Sequence, residues 1–166
     1  MLMSLRTVLM VGVVLASNNA LALPAPINDP ILWIEGKITQ SNSDVGVQMD
    51  EAMLQSLDMG VIRTSNHVTD TVMEYSGPTF ESLLDFLGAF GTHVKVMAWD
   101  DYVVTIPIEY LQKYKVLLAT HENGERMTID GKGPFFVVFP FSDFPELRSD
   151  YFYSLSVWQV REVIVE

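Results

Sequence analysis

Three histidines and one pair of adjacent carboxylates have the plainest claim to chemistry in this chain. His67, His93 and His121 are widely separated and follow no metal-ligand spacing such as H-E-x-x-H. Asp100 and Asp101 invite reading as an acid–base pair. Neighbours on a strand point to opposite faces, however, so the two cannot easily act on one substrate. The chain has no cysteine, which removes thiolate nucleophiles, thiolate metal sites and disulfides together. G-x-S-x-G, the P-loop and G-x-G-x-x-G are absent as well. No residue is therefore assigned a catalytic or metal-binding role, and any chemistry here is not announced by bare side chains.

The elements that would carry a site follow from pattern and punctuation. Ile31 to Ile38 reads as a strand, and Asp50 as the N-cap of a short helix with Met49 and Leu54 as its hydrophobic staple. Val61 to Ser65 and Val72 to Tyr75 read as strands. Thr79 caps the clearest helix, in which Phe80, Leu83, Leu84 and Leu87 share one apolar face. Val94 to Ala98 and Tyr102 to Ile106 are strand-like, and Pro107 opens a short helix to about Tyr114. Val116 to Thr120 and Arg126 to Ile129 flank Glu122-Asn123-Gly124-Glu125, where Asn-Gly signals a hairpin. Phe135 to Pro140 is apolar throughout, as in a strand covered on both faces. Phe141 to Tyr153 is expected to be a long functional loop, and Ser156 to Val165 a closing strand. About eight strands and three short helices make a single sheet-rich α+β domain.

The composition agrees. The chain has 166 residues, 49% hydrophobic and 19% charged, which suits one packed domain and not a disordered segment. Ten basic against 21 acidic residues give a net charge of −11, repelled by nucleic acid and by anionic lipid. Residues 1–22 have the layout of a secretory signal peptide: Arg6, the apolar run Thr7 to Ala16, and the A-x-A-like site Ala20-Leu21-Ala22. That run is too short to span a bilayer. Residues 23–166 are expected to form the mature domain, exported to the periplasm.

Several stretches then combine. They are Tyr75-Ser76-Gly77-Pro78 with its following helix, Trp99-Asp100-Asp101-Tyr102-Val103-Val104-Thr105-Ile106-Pro107, and Gly131-Lys132-Gly133-Pro134-Phe135-Phe136-Val137-Val138-Phe139-Pro140. Phe144-Pro145-Glu146-Leu147-Arg148 with Tyr153-Ser154-Leu155-Ser156-Val157-Trp158-Gln159 completes the set. In this order and spacing, from about Ile31 to Val165, the chain resembles the small exported branch of the sulfite-oxidase-like, molybdopterin-binding fold. The resemblance implies an α+β domain built on a mixed sheet. Redox-active members hold molybdenum through a cysteine thiolate, whose place falls near Ser65 in Thr64-Ser65-Asn66. A serine hydroxyl is a far poorer ligand for a soft metal. Those enzymes also grip the cofactor phosphate with basic residues before the last strand. Here that loop carries Asp143, Glu146 and Asp150 against Arg148 alone. Like charges brought together in a partly desolvated site repel strongly.

The resemblance thus implies an unphosphorylated pterin as bound ligand. A pterin is a flat bicycle whose aminopyrimidinone edge donates two parallel N–H groups. Trp158, Tyr153, Tyr102, Trp99 and the Arg148 guanidinium are the stacking candidates. Asp101 is the first choice for the carboxylate at the edge and Asp143 the second. Thr64, Ser65 and Asn66 would add neutral hydrogen bonds, and Ser154 matches the family's serine before the final strand. Relatives of this shape look like sensors that pass pterin occupancy to the periplasmic domain of a membrane-bound enzyme controlling cyclic-di-GMP. The alternatives are an oxidoreductase keeping a molybdenum cofactor without a cysteine ligand, and a ligand-free periplasmic interaction module.

Overall fold

A fully buried carboxylate, Asp50, ties the N-terminal segment to the first helix. Asp50 Oδ1 accepts from Met53 N at 3.0 Å, capping helix α1 (Glu51–Gln55). Its other oxygen accepts from Ile27 N at 2.8 Å and Asn28 N at 2.9 Å, tying the extended N-terminal segment to that helix. The backbone N–H of Asn28, then that of Met53, holds the Asp50 pKa below 3.8 against the opposing effect of burial. Met49 and Leu54 are both buried beside it, as a staple requires.

The computed structural model describes residues 21–66 and 71–166. His67 and most of the expected leader lie outside the described residues; Leu21–Ala22 (β1) lies within them. The strands that follow are β2 (Leu32–Gly36), β3 (Gln40–Ser41), β4 (Val47–Met49), β5 (Met59–Thr64) and β6 (Met73–Pro78). After helix α2 (Phe80–Leu87) come β7 (His93–Ala98), β8 (Val103–Pro107) and helix α3 (Ile108–Lys113). The chain continues through β9 (Leu117–Ala119), β10 (His121–Glu122), β11 (Glu125–Arg126) and β12 (Phe136–Val138). It closes with helix α4 (Asp150–Ser154) and β13 (Val160–Val165). Among the described residues no helix is long and apolar enough to cross a membrane.

A five-stranded sheet in the order β4-β2-β13-β7-β8 forms the larger half; β13 runs parallel to β2 and every other pair in it is antiparallel. The mixed sheet arises because the last strand inserts between the second and the seventh. A second, four-stranded antiparallel sheet runs β11-β10-β6-β5, and β12 pairs with β9. Thr79 accepts from Ser82 N at 3.1 Å and Gly88 ends α2 at φ 60°, so the helix has the cap and the stop its sequence signals. Its buried stripe of Phe80, Leu83, Leu84 and Leu87 joins the core that also holds Leu32, Ile34, Val94, Val96 and Val163. A smaller apolar cluster, including Ile62, Tyr75, Leu117, Phe136 and Val138, lies between β5–β6 and β9–β12. There β6 approaches β9 so closely that a Cβ at Gly77 would meet Leu118 O at 2.6 Å.

The architecture is the expected sheet-rich α+β type, with four α-helices where three were expected. Phe141 to Tyr153 is not the irregular loop its length suggested. It holds a 3-10 turn (Pro145–Leu147) and most of α4, packed through Leu147 and Phe152. The hairpin forms at Asn123 (φ 51°) and Gly124 (φ 82°), both in the left-handed region a two-residue I′ turn needs, but its return strand is only Glu125–Arg126. The last strand starts at Val160 and not at Ser156, because Gln159 takes φ 53°. Its side-chain amide donates to Ile129 O at 2.6 Å and Gly131 O at 3.1 Å, and its N–H to Lys132 O at 2.9 Å. Those bonds pull residues 156–159 out of the ladder and turn Trp158 to the surface of the second cluster.

Candidate functional site

At the strand break around Gln159 lies a cleft of about 520 Å3. One wall is the β7–β8 turn with Asp100 and Tyr102; the opposite wall is α4 with Asp150, Tyr153 and Ser154; Ser156, Val157, Trp158 and Gln159 complete it. The volume lies within the range of small-molecule sites. Tyr102 Oη donates to Ser154 O at 3.1 Å, joining the two walls. Tyr153 is braced from behind by Phe141, ring centroids 5.0 Å apart. Trp158 stands edge-on against Phe136 at 5.9 Å and 89°, with the Lys132 ammonium 5.9 Å from its ring.

Lys132 is itself held in place. It ion-pairs with Glu122, sits 5.5 Å from the Tyr75 ring and reaches the Tyr75 hydroxyl at 3.4 Å. Burial pushes the Tyr75 hydroxyl far above its ordinary range, and Glu122 adds to the effect. This buried tyrosine and its cation form the rigid backing of the Trp158 wall.

Of the eleven residues expected to contact a ligand, Tyr102, Tyr153, Ser154 and Trp158 meet in this cleft. The other seven lie elsewhere, Trp99 edge-on against Trp33 with ring centroids 6.3 Å apart. Asp101 takes φ 64° in the turn and its carboxylate accepts from Arg161 Nη2 at 3.0 Å, away from the cleft lining. Arg148 spends its guanidinium on backbone carbonyls, Nε to Phe141 O at 2.8 Å and Nη2 to Ser142 O at 3.2 Å. Asp143 is exposed on the same segment. Thr64 is buried: its hydroxyl donates to Ser65 O at 2.8 Å and accepts from Ser142 N at 3.1 Å, while Ser65 N donates to Ser142 Oγ at 3.2 Å. Asn66 is buried and bonds through its side chain to Tyr75. The Thr64-Ser65-Asn66 corner is thus tied into the fold beside the Phe141–Ser142 segment, outside the cleft wall.

Six residues of the cleft lay outside that expected set, Asp100, Asp150 and Ser156 among them. Asp100, whose carboxylate accepts from Tyr102 N at 3.1 Å, takes the place expected of Asp101. Asp150 opens α4 and faces it. Ser156 is the most informative. It is 93% buried, lines the cleft, and its hydroxyl has no hydrogen-bond partner among the described residues. Buried hydroxyls are nearly always bonded, so an orphan in a cleft wall calls for a partner that the described residues do not supply. No sequence signal separates Ser156 from Ser154, whose own hydroxyl is satisfied by Tyr151 O at 2.6 Å.

The donor set decides what group the cleft suits. It offers two aromatic phenols, an indole, hydroxyls and two carboxylates, and none of its lining residues is basic. With no cysteine in the chain, and Thr64 and Ser65 engaged with Ser142, it supplies no soft ligand for molybdenum. Asp100 and Asp150 also disfavour a phosphate. A phosphorylated, metal-bearing cofactor does not fit these residues; a flat neutral ring with N–H donors does.

No family model and no curated protein matches the chain. Among solved structures it is similar to the sulfane dehydrogenase SoxCD from Paracoccus pantotrophus, with a TM-score of 0.59 and 18% identity. The likeness covers 81% of this chain and 37% of that one, so the chain spans little more than a third of that protein's length. The chain therefore shares the fold of the matched part of that dehydrogenase, in keeping with the sulfite-oxidase-like, molybdopterin-binding type its sequence resembles.

Proposed function

We propose that this chain is a non-catalytic periplasmic pterin-binding protein, which takes an unphosphorylated pterin in the cleft between Tyr102 and Trp158. The observation that carries the reading is the orphaned, buried Ser156 hydroxyl in the wall of an aromatic cleft that offers no cation to a phosphate. The pterin bicycle stacks against Trp158, worth about 0.5–1.5 kcal/mol beyond area burial. Its aminopyrimidinone edge donates to Asp100 or Asp150, a charge-assisted pair worth about 1.5–3 kcal/mol. A ring nitrogen or carbonyl completes the bond to Ser156. Such a site binds and releases; it supplies no thiolate to hold molybdenum.

Titration with oxidised and reduced pterins, followed by tryptophan fluorescence of the chain and of Trp158→Phe, tests the reading. Saturable quenching by pterins, with at least tenfold weaker binding of their phosphate esters, is the expected result. Equal or tighter binding of the phosphate esters would favour a retained molybdenum cofactor, and no binding at all a ligand-free interaction module. The proposed output is the periplasmic domain of a membrane-bound enzyme controlling cyclic-di-GMP, and its support is the family resemblance of the sequence alone. Pull-down of that enzyme in the presence, but not the absence, of pterin checks this part separately.

A further inference from the structure

The open face of the five-stranded sheet carries a second, smaller cleft of about 230 Å3, lined by Trp33 and Glu35 of β2, Trp99 after β7, and Arg161 and Glu162 of β13. Its construction depends on a register shift between Val160 and Glu162 in the β13–β7 ladder. The bulge leaves the consecutive residues Arg161 and Glu162 both half-exposed while Val160 and Val163 stay in the core. The indoles of Trp33 and Trp99 stand at 88° with centroids 6.3 Å apart, two walls of a corner. Arg161 lies 5.7 Å from the Trp99 ring and is pinned by Asp101 at 3.0 Å, so its charge is already answered. The carboxylates of Glu35 and Glu162 have neither an ion pair nor a hydrogen bond among the described residues.

The local balance is three carboxylates against one guanidinium, and the faces of both indoles are electron-rich. Each feature attracts a cation and repels an anion, and together they make a partial aromatic cage with two uncommitted counter-charges. A planar guanidinium can lie flat on one indole and offer paired N–H donors to a carboxylate. We infer that this cleft is a second ligand site, for a small organic cation of the alkylguanidinium or alkylammonium class. It shares the Trp99–Tyr102 turn with the large cleft but does not depend on what that cleft binds.

The chain has three tryptophans, so their indole N–H resonances give a site-specific readout, with Trp158→Phe assigning the one outside this cleft. The full chain is titrated with ethylguanidinium chloride and with tetramethylammonium chloride at fixed ionic strength, sodium chloride serving as the reference. The expected result is saturable movement of the Trp33 and Trp99 resonances with Trp158 unmoved, and a midpoint raised at least tenfold in Glu35→Gln/Glu162→Gln. Should that double variant fail to fold, each single variant is expected to raise the midpoint about threefold. Shifts that grow linearly without saturating, that include Trp158 equally, or that are unchanged in the Gln variants would overturn the inference.

Discussion

The hydroxyl of Tyr102 donates to the backbone carbonyl of Ser154 at 3.1 Å, linking the β7–β8 turn to the end of α4. Fifty-two residues of chain separate the partners, so this bond fixes the spacing of the cleft walls in a way no local turn could. It is made at an exposed residue, where a neutral hydrogen bond contributes little to global stability.

Tyr102→Phe removes that bond and keeps the ring. Pterin affinity is expected to fall about three- to tenfold, corresponding to a bond worth about 0.5–1.5 kcal/mol, with Tm nearly unchanged. Calorimetric titration beside a thermal melt separates the two effects.

Ser156→Ala discriminates between a ligand-binding and a structural serine. A serine bonded within the protein would lose stability on truncation. Ser156 has a buried hydroxyl with no partner among the described residues, so its removal relieves a desolvation cost, and Tm is expected to stay level or rise. Pterin affinity is expected to fall about tenfold in the same variant, measured by the same pair of experiments.

Trp158→Ala takes away both a stacking surface and a lid on the Phe136 cluster. Affinity should drop at least tenfold, and stability by about 1–3 kcal/mol, read from urea denaturation. Trp158→Phe should recover most of the stability and part of the affinity.

Asp50 sets one part of the acid limb of stability. Its folded pKa lies below 3.8, held there by the backbone N–H of Asn28 and Met53, whereas the unfolded carboxylate titrates near its ordinary value of about 3.9. The stabilisation is therefore fully present above the unfolded pKa and is lost as pH falls through the lowered folded one. In Asp50→Asn the Tm at neutral pH falls and the decline of Tm below about pH 4 becomes shallower. Melting curves between pH 7 and pH 2 compare the two proteins.

Most of the fold was legible where local chemistry and burial agreed. Asp50 and Thr79 cap the helices their sequences announce, and Asn123-Gly124 turns where only a left-handed pair fits. The site was harder to read because it depends on long-range bonds at the points where the periodicity fails. Ser156 to Gln159 reads as the start of a strand, but Gln159 finds better partners in the Ile129–Lys132 turn and leaves the ladder. Asp100 and Asp101 sit in the β7–β8 turn and not on a strand, so strand alternation does not decide which one lines the cleft; Arg161, sixty residues away, holds Asp101 outside it. Helix α4 was hidden by its length of five residues and by a cap position, Ser149, that makes no side-chain cap bond. The orphan at Ser156 is a property of packing, invisible to any pattern.

Native mass spectrometry of the protein as isolated from its host, with metal analysis of the same sample, bears on the central claim most directly. A mass increment of one unphosphorylated pterin per chain, free of molybdenum and lost in Ser156→Ala, is the predicted result. Molybdenum near one per chain, or an increment carrying a phosphate, would contradict it.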